Sequence, residues 1–192
     1  SAVSGISNRL DGLLSAALRD EHDAVLDTIE RAHRVLADDL EIDPSCIDEL
    51  MLPLRRLADG AALIGEATPR MKAAAMAMGE LLSTRLGAEY LKNEGLGAEW
   101  VDAREHMRAL PGVGDASWLS AHCSDDALPQ LAEAFSQHRM VITQGFIARN
   151  EDGETVLLGR GGSDTSAALF SAMLQAERCE IWTDVPGVYT AN

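Results

Sequence analysis

The chain has 192 residues, which is the length of a single domain. Its 46% hydrophobic and 24% charged residues are typical of a globular protein and exclude a disordered tail or a coiled coil. It carries 16 basic and 31 acidic residues, for a net charge of −15, so we expect no nucleic-acid partner, because an acidic surface repels phosphodiester backbones.

The sequence has no apolar run of the roughly 18 residues that a membrane span needs, and no pattern of a signal peptide. Its three cysteines are far apart and form neither a disulfide framework nor a CxxC metal pair, which suits a reducing compartment. We therefore expect a cytoplasmic protein with no membrane partner. The chain opens on a small-residue loop without an initiator methionine and closes at Asn192 without a terminating element, so we expect a piece of a longer protein.

The first half of the chain, from Ser7 to about Glu94, has helical periodicity. We expect two of its histidines, His22 and His33, to lie on solvated helix faces. One apolar stripe, with residues spaced by three or four, is predicted to face the core: Val25, Ile29, Ala32, Leu36 and Leu40.

Two dipeptides mark further helix starts in this half, Asp43-Pro44 and Thr68-Pro69. Each combines an N-capping residue with a proline whose fixed φ suits the first helical turn. The second begins an alanine- and methionine-rich helix predicted to run to about Asn93.

From Glu99 onward the pattern changes to alternating strands and helices, which predicts an α/β fold with a mostly parallel sheet covered by helices. Asp152-Gly153 is a turn signal expected between the second and third strands. The predicted strands are Trp100–Asp102, Met140–Thr143, Thr155–Leu158 and Glu180–Thr183. The predicted helices are Leu128–Gln137 and Ser163 to about Glu177.

The densest functional signal is the glycine-rich segment from Leu158 to Ala167, which joins a strand to a helix. A helix N-terminus offers unpaired N–H groups and a positive dipole end, and glycines let a ligand approach the backbone, so this segment favours an anion. Arg160 adds a planar fork suited to a carboxylate or phosphate. The segment matches neither a Walker A motif nor G-x-G-x-x-G, and a tight turn capped by Ser163 or Asp164 remains the alternative.

A second unusual feature is Gly79-Glu80 inside a strongly helical run. A glycine inside a helix costs about 1 kcal/mol relative to alanine, so the close approach of a ligand or of another backbone is expected there. From the residues alone, a solvent-exposed Glu80 beside a packing glycine is the favoured interpretation.

The third feature is the segment from Ile181 to Tyr189, where a predicted strand ends in Thr183-Asp184 and turns at Pro186-Gly187. Ligands of open α/β sheets bind beyond the carboxyl ends of the strands, so Thr183 and Asp184 are expected to face such a crevice. The five histidines have no metal-ligand spacing, so no protein metal site is expected.

These features together resemble the aspartokinases of the amino acid kinase family. The resemblance implies a three-layer αβα sandwich with a mostly parallel sheet, of which residues 1–192 are a partial catalytic domain with a helix-rich part at 1–98 and an α/β part at 99–192. The first strand of the family, with its Lys-Phe-Gly-Gly motif, and the C-terminal ACT regulatory part are absent from this sequence. Four segments carry the resemblance, in the order of the family: Ser1–Asn8, Gly79–Ser83, Val141–Phe146 with Leu158–Asp164, and Trp182–Tyr189.

The resemblance also implies a reaction: transfer of the γ-phosphoryl group of ATP to the side-chain carboxylate of L-aspartate, the first step toward lysine, threonine and methionine. Mg²⁺ would be held mainly through the nucleotide phosphates, and the full-length protein would be a homo-oligomer. Without the lysine of the missing motif, the isolated chain is expected to have little or no activity.

The same resemblance assigns roles to residues of this chain. Arg160 would clamp the α-carboxylate of aspartate, and Glu80 would accept hydrogen bonds from its ammonium group. Arg160 and Asp164 are the implied catalytic residues. The remaining implied contacts are Ser1, Ser7, Gly162 and Ser163 for the substrate, and Thr183, Asp184 and Tyr189 for the nucleotide.

Two alternatives stay open. The chain could belong to another member of the family, such as an acetylglutamate, glutamate or uridylate kinase. It could also be a non-catalytic assembly or regulatory module of a larger, bifunctional biosynthetic enzyme.

Overall fold

The computed structural model describes residues 1–126 and 129–182. Four long helices come first: α1 Ile6–Ala17, α2 His22–Asp39, α3 Ser45–Ile64 and α4 Pro69–Asn93. Short strands and helices follow: β1 Ala98–Trp100, α5 Ala103–His106, α6 Ala116–Leu119, α7 Pro129–Ser136, β2 Met140–Ile142, β3 Ile147–Arg149, β4 Thr155–Leu157 and α8 Gly162–Met173. Among the helices so described, none is long and apolar enough to cross a bilayer.

Helix α4 is the element on which the rest of the chain is arranged. It begins where the sequence predicts, because the Thr68 side chain accepts a hydrogen bond from the Met71 N–H at 3.2 Å and Pro69 occupies the first turn. One apolar core lies among α1, α2, α3 and α4, and a second lies between α4 and the β3–β4 and α8 region. Helix α4 therefore reaches both halves of the chain and can carry side chains to the junction between them.

The buried face of α2 differs from the prediction. It consists of His22, Leu26, Ile29, His33 and Ala37, while four members of the predicted stripe are only partly buried. The expectation that His22 and His33 are solvated is wrong: His33 is 0% exposed, and His22 Nε2 lies 3.0 Å from Asp59 Oδ1 of α3. Helix α2 packs against both α1 and α3, so its core-facing side is set by two neighbours.

The buried His33 makes the stability of the fold depend on pH. Its Nδ1 lies 2.8 Å from the Ile29 carbonyl oxygen, which can only accept, so the neutral ring carries its proton on Nδ1. Burial lowers the pKa of His33, because desolvation disfavours the imidazolium and outweighs the opposing effect of that hydrogen bond.

We expect the free energy of unfolding to fall as the pH drops below about 6.5, the ordinary pKa of an unfolded histidine, because the unfolded chain then binds a proton that folded His33 resists. The loss grows until the pH reaches the lower pKa of the folded state. Urea denaturation at several pH values should show that the free energy of unfolding falls less on acidification in His33→Leu than in the wild type. The exposed His138 provides the control, and in His138→Gln the free energy of unfolding should depend on pH as it does in the wild type. Equal slopes in His33→Leu and the wild type would contradict the prediction.

The helical Gly79 is explained by close packing. A Cβ at this position would lie 2.8 Å from Ala2 Cβ and 3.0 Å from Leu10 Cδ1, whereas a Cβ at Gly60 of α3 would meet nothing within 4 Å. The expected close approach is therefore made by the N-terminal segment and α1.

Alanine substitutions at Gly60 and Gly79 should change the free energy of unfolding in opposite directions. Gly60→Ala should raise the free energy of unfolding by up to about 1 kcal/mol through helix propensity. Gly79→Ala should lower it, because overpacking costs about 1–3 kcal/mol and exceeds the same helical gain. Urea denaturation of the two variants tests this, and a stabilised Gly79→Ala would show that the N-terminal segment moves aside freely.

The described strands form two pairs. β1 and β2 are parallel, with Trp100 opposite Ile142, and β3 and β4 are antiparallel, with Arg149 opposite Thr155. The α/β class is confirmed, with a small parallel sheet. The turn at Asp152-Gly153 joins β3 to β4. The sequence analysis placed this turn between β2 and β4, because it did not predict β3.

Several predicted boundaries differ from the structure, most of them by one or two residues. Strand β1 ends at Trp100, because the Asp102 side chain accepts from the Arg104 N–H at 2.9 Å and begins α5. Helix α8 ends at Met173, four residues before the predicted end. Residues 180–182 are not in a strand, and the last residue predicted for that strand lies outside the described residues.

Candidate active site

One cleft brings together the N-terminal segment, α4 and the glycine-rich turn, by which we mean residues Leu158–Asp164. Its volume is about 340 Å³. All seven residues predicted to contact the substrate line it: Ser1, Ser7, Glu80, Arg160, Gly162, Ser163 and Asp164. They come from positions up to 163 residues apart in the chain, and only the fold makes them neighbours.

Glu80 is the buried acid of this cleft. It is 6% exposed, so the interpretation of Glu80 as a solvent-exposed residue is wrong. Its Oε2 lies 3.2 Å from the backbone nitrogen of Ser1, close enough for an electrostatic contact but without hydrogen-bond geometry to any described residue. A buried carboxylate oxygen without a hydrogen bond is costly, so this site favours a cationic or N–H-bearing ligand.

The N-terminal segment is held against α4 at the edge of the cleft. The Ser83 hydroxyl donates to the Ser1 carbonyl at 2.7 Å, and the missing side chain of Gly79 leaves room for Ala2. These contacts place Ser1 beside Glu80. Ser7, in the first turn of α1, lines the same cleft.

Arg160 lies at the corner of the glycine-rich turn. The turn is closed by a hydrogen bond from the Gly162 N–H to the Gly159 carbonyl at 3.0 Å, and Gly161 at its third position has φ 73°, a value that favours glycine. The guanidinium is exposed, lines the cleft with Glu80, and has no carboxylate within 4.0 Å among the described residues. The described residues thus leave this guanidinium available to an anionic ligand.

Helix α8 begins at Gly162, directly after this corner. Its first-turn N–H groups at Ser163 and Asp164 have no backbone acceptor in the described part of the chain, as expected of a helix N-terminus. The strand–turn–helix arrangement predicted from the glycines is thus present, and it adds N–H donors to the charge of Arg160.

The glycine-rich turn is supported by the loop between β2 and β3. A Cβ on Gly162 would lie 2.8 Å from Phe146 Cδ2, and a Cβ on Gly145 would lie 2.9 Å from Ser163 Cα. Phe146 has φ 70°, an uncommon value for an aromatic residue. The conformation is held by bonds from its N–H to the Ser166 hydroxyl at 2.9 Å and from the Leu158 N–H to its carbonyl at 2.8 Å.

Phe146 also lines the cleft, and the sequence analysis did not assign it a role. The available signal was its place after Gln144-Gly145 in one of the segments that carry the resemblance. The nucleotide residues Thr183, Asp184 and Tyr189 lie outside the described residues. Within the described residues, no group of three histidine, cysteine or acidic side chains could hold a metal ion.

One cleft thus holds a buried carboxylate on α4 and, just before α8, a guanidinium with no carboxylate within 4.0 Å in the described residues, an arrangement whose charges complement a small ligand that carries both an ammonium and a carboxylate. Residues 2–192 match the amino acid kinase family, and the chain belongs to that family. The resemblance noted from the four sequence segments is confirmed at this level.

Among its relatives, lysine-sensitive aspartokinase 3 of Escherichia coli is 36% identical over 201 residues, which cover 100% of this chain and 43% of the relative. Bifunctional aspartokinase/homoserine dehydrogenase 2 of the same organism is 37% identical over 197 residues, covering 100% of this chain and 24% of the relative. The chain therefore spans less than half of either protein.

A solved structure gives the same picture. The crystal structure of E. coli aspartokinase III in complex with aspartate and ADP superposes with a TM-score of 0.85 at 36% identity, covering 99% of this chain and 42% of the other. The amino acid kinase fold is thus confirmed.

Proposed function

We propose that this protein is an aspartate kinase, which transfers the γ-phosphoryl group of ATP to the side-chain carboxylate of L-aspartate and forms 4-phospho-L-aspartate. The observation that carries the proposal is that one cleft holds the buried Glu80 together with Arg160, whose guanidinium has no carboxylate within 4.0 Å in the part of the chain that the structure describes. An α-amino acid presents an ammonium and a carboxylate side by side, and this pair of opposite charges complements both. The relatives are an aspartokinase and a bifunctional aspartokinase/homoserine dehydrogenase, and the crystal structure of E. coli aspartokinase III holds aspartate and ADP.

In this proposal, the cleft residues bind and orient the amino acid. Arg160 donates two parallel hydrogen bonds to the α-carboxylate, and Glu80 accepts from the ammonium group. Ser1, Ser7, Gly162 and Ser163 close the pocket around the substrate.

The reacting group is the side-chain carboxylate, which is ionised at neutral pH and needs no strong base. Catalysis then consists of positioning and of neutralising two converging anions. Arg160 and the first-turn N–H groups of α8 would supply positive potential in a chain whose net charge is −15. Asp164 would border the reacting centre.

The nucleotide would lie next to this pocket, against Thr183, Asp184 and Tyr189. ATP with Mg²⁺, when bound, supplies the phosphoryl group, and the metal would be held mainly through the nucleotide phosphates. We propose a cytoplasmic homo-oligomer that acts at the start of lysine, threonine and methionine synthesis.

The charges of the cleft argue against two other acceptors of the family. An N-acetylated amino acid has no ammonium group, and its binding would leave Glu80 buried without a cation. A nucleoside monophosphate would bring a phosphate into a pocket with two carboxylates, Glu80 and Asp164.

The test is a substrate panel on the protein in its full encoded length, with ADP release measured for aspartate, glutamate, N-acetylglutamate and uridylate. We expect aspartate to have the highest kcat/KM. Calorimetry with aspartate and with ATP-Mg²⁺ covers the non-catalytic alternative, since an assembly module should bind neither. ADP release that does not depend on aspartate would refute the proposal.

A further inference from the structure

A buried polar network lies beneath the cleft, centred on Gln144. This residue is 1% exposed, yet its carboxamide makes two hydrogen bonds. Its Oε1 accepts from the Ala103 N–H at 2.8 Å, and its Nε2 donates to Thr84 Oγ1 at 2.9 Å. Thr84 Oγ1 in turn donates to the Glu80 carbonyl at 2.8 Å. A continuous chain of hydrogen bonds therefore leads from α5 to the turn of α4 that carries Glu80.

The direction of these bonds is fixed by chemistry. The Ala103 N–H can only donate, so the carboxamide oxygen must face it and the amide nitrogen must face Thr84. The Thr84 hydroxyl donates to the Glu80 carbonyl and accepts from both Gln144 and the Trp100 indole, the latter at 3.1 Å. A hydroxyl has one donor and two acceptor positions, so this one is fully used. Such buried networks are rigid when every member is satisfied.

The network joins the two walls of the cleft. Thr84 lies one helical turn after Glu80 in α4. Gln144 directly precedes Gly145-Phe146, on which the turn carrying Arg160 packs. The amide of Gln144 thus connects α4, which carries Glu80, to the loop that supports the turn carrying Arg160.

If Gln144 served only to cap the N-terminus of α5, the hydrogen bond that it accepts from the Ala103 N–H would suffice. The second bond, to Thr84, does nothing for α5 and instead fixes where Gln144 lies relative to α4. The buried Thr84 hydroxyl could also have been satisfied by the Glu80 carbonyl and the Trp100 indole without Gln144.

We propose that Gln144, acting through Thr84, is a positioning residue that sets the spacing between Glu80 and Arg160 and thereby the fit of the amino acid substrate. The inference rests on the proposed function. Neither Gln144 nor Thr84 lines the cleft, so neither would touch the substrate.

The kinetic test uses Gln144→Met and Thr84→Val, which keep size and remove the hydrogen bonds, in the full-length protein. We expect each to raise the KM for aspartate by about tenfold, since even a displacement of about 1 Å can cost up to about 100-fold. The kcat and the KM for ATP should stay within about twofold of the wild type, since neither residue reaches the reacting groups. The double variant should be no worse than the more affected single variant, because both changes break one chain of bonds.

Two further variants separate positioning from folding. Thr84→Ser keeps the hydroxyl and should restore the wild-type KM. Thr28→Val is the matched control, because the Thr28 hydroxyl also donates to the carbonyl four residues back, that of Ala24, but on an exposed face of α2. A lower melting temperature with an unchanged KM in both Gln144→Met and Thr84→Val would overturn the proposal.

Amide hydrogen exchange tests the same proposal without any assumption about the substrate. In Gln144→Met, exchange should become faster both in the α4 turn around Glu80 and in residues Leu158–Ser163. Faster exchange confined to Ala103 and its neighbours would overturn the coupling, even if aspartate is phosphorylated. If the wild type fails to use aspartate, the proposed function fails, and the exchange result still decides on the coupling.

Discussion

Replacing Arg160 with alanine is expected to raise the KM for aspartate by about 100-fold in the full-length protein, since two charge-assisted hydrogen bonds to the α-carboxylate are lost. The kcat should fall by a smaller factor, because Arg160 would bond the α-carboxylate and would act on the reacting carboxylate only through its longer-range positive potential. Arg160 has no carboxylate partner within 4.0 Å in the described residues. Its replacement therefore breaks no ion pair of the described protein, and the change in KM reports on the substrate. Steady-state kinetics with varied aspartate at saturating ATP measure the effect.

Two further variants show whether the charge or the planar shape of Arg160 matters and whether the effect is specific to the cleft. Arg160→Lys keeps the charge and loses the planar fork, so its KM should lie between those of the wild type and Arg160→Ala. Arg19→Ala removes an arginine that is paired with Glu21 on the surface, away from the cleft, and should leave the KM unchanged. Unchanged aspartate kinetics in Arg160→Ala would remove the observation on which the proposed function depends.

Glu80→Gln is expected to have an effect of similar size, about 30- to 100-fold on the KM for aspartate, because a buried carboxylate binds an ammonium through charge-assisted hydrogen bonds that an amide cannot replace. The change keeps the shape of the side chain. It also leaves intact the backbone carbonyl that receives the Thr84 hydroxyl. The matched control is Glu94→Gln at the exposed end of α4, which should behave as the wild type.

Succinate distinguishes the two ends of the pocket, since it is aspartate without the ammonium group. Its inhibition constant should be unchanged or lower in Glu80→Gln, because no cation is lost and a buried charge is removed. In Arg160→Ala it should rise, as the KM for aspartate does. Weaker binding of succinate to Glu80→Gln would mean that Glu80 shapes the pocket rather than binding the ammonium.

The proposed function requires an acidic protein to bind an acidic substrate. With a net charge of −15, the chain must supply positive potential locally. In the proposal, the guanidinium of Arg160 at the corner of a glycine turn and the first-turn N–H groups of α8 supply it. Such a site keeps its positive potential within a few ångströms, which suits a dicarboxylic amino acid and disfavours an extended polyanion.

Much of the local structure was predicted from the sequence, because its causes are local. Thr68-Pro69 predicted the start of α4, and the predicted cap hydrogen bond is present. The glycines around Arg160 predicted a strand–turn–helix segment, since a turn with positive φ depends on a few adjacent residues. The resemblance of four short segments named seven residues that the fold brings into one cleft.

The tertiary structure alone decided the burial of His33, Glu80 and Gln144. Each depends on elements distant in sequence: α2 turns its histidine inward because α1 and α3 flank it, and Glu80 is covered by the N-terminal segment. Periodicity describes which side chains share a face, whereas burial depends on what packs against that face. A polar residue can therefore be recognised as part of a core only when the partners of its hydrogen bonds are known, as Thr84 and Ala103 are for Gln144.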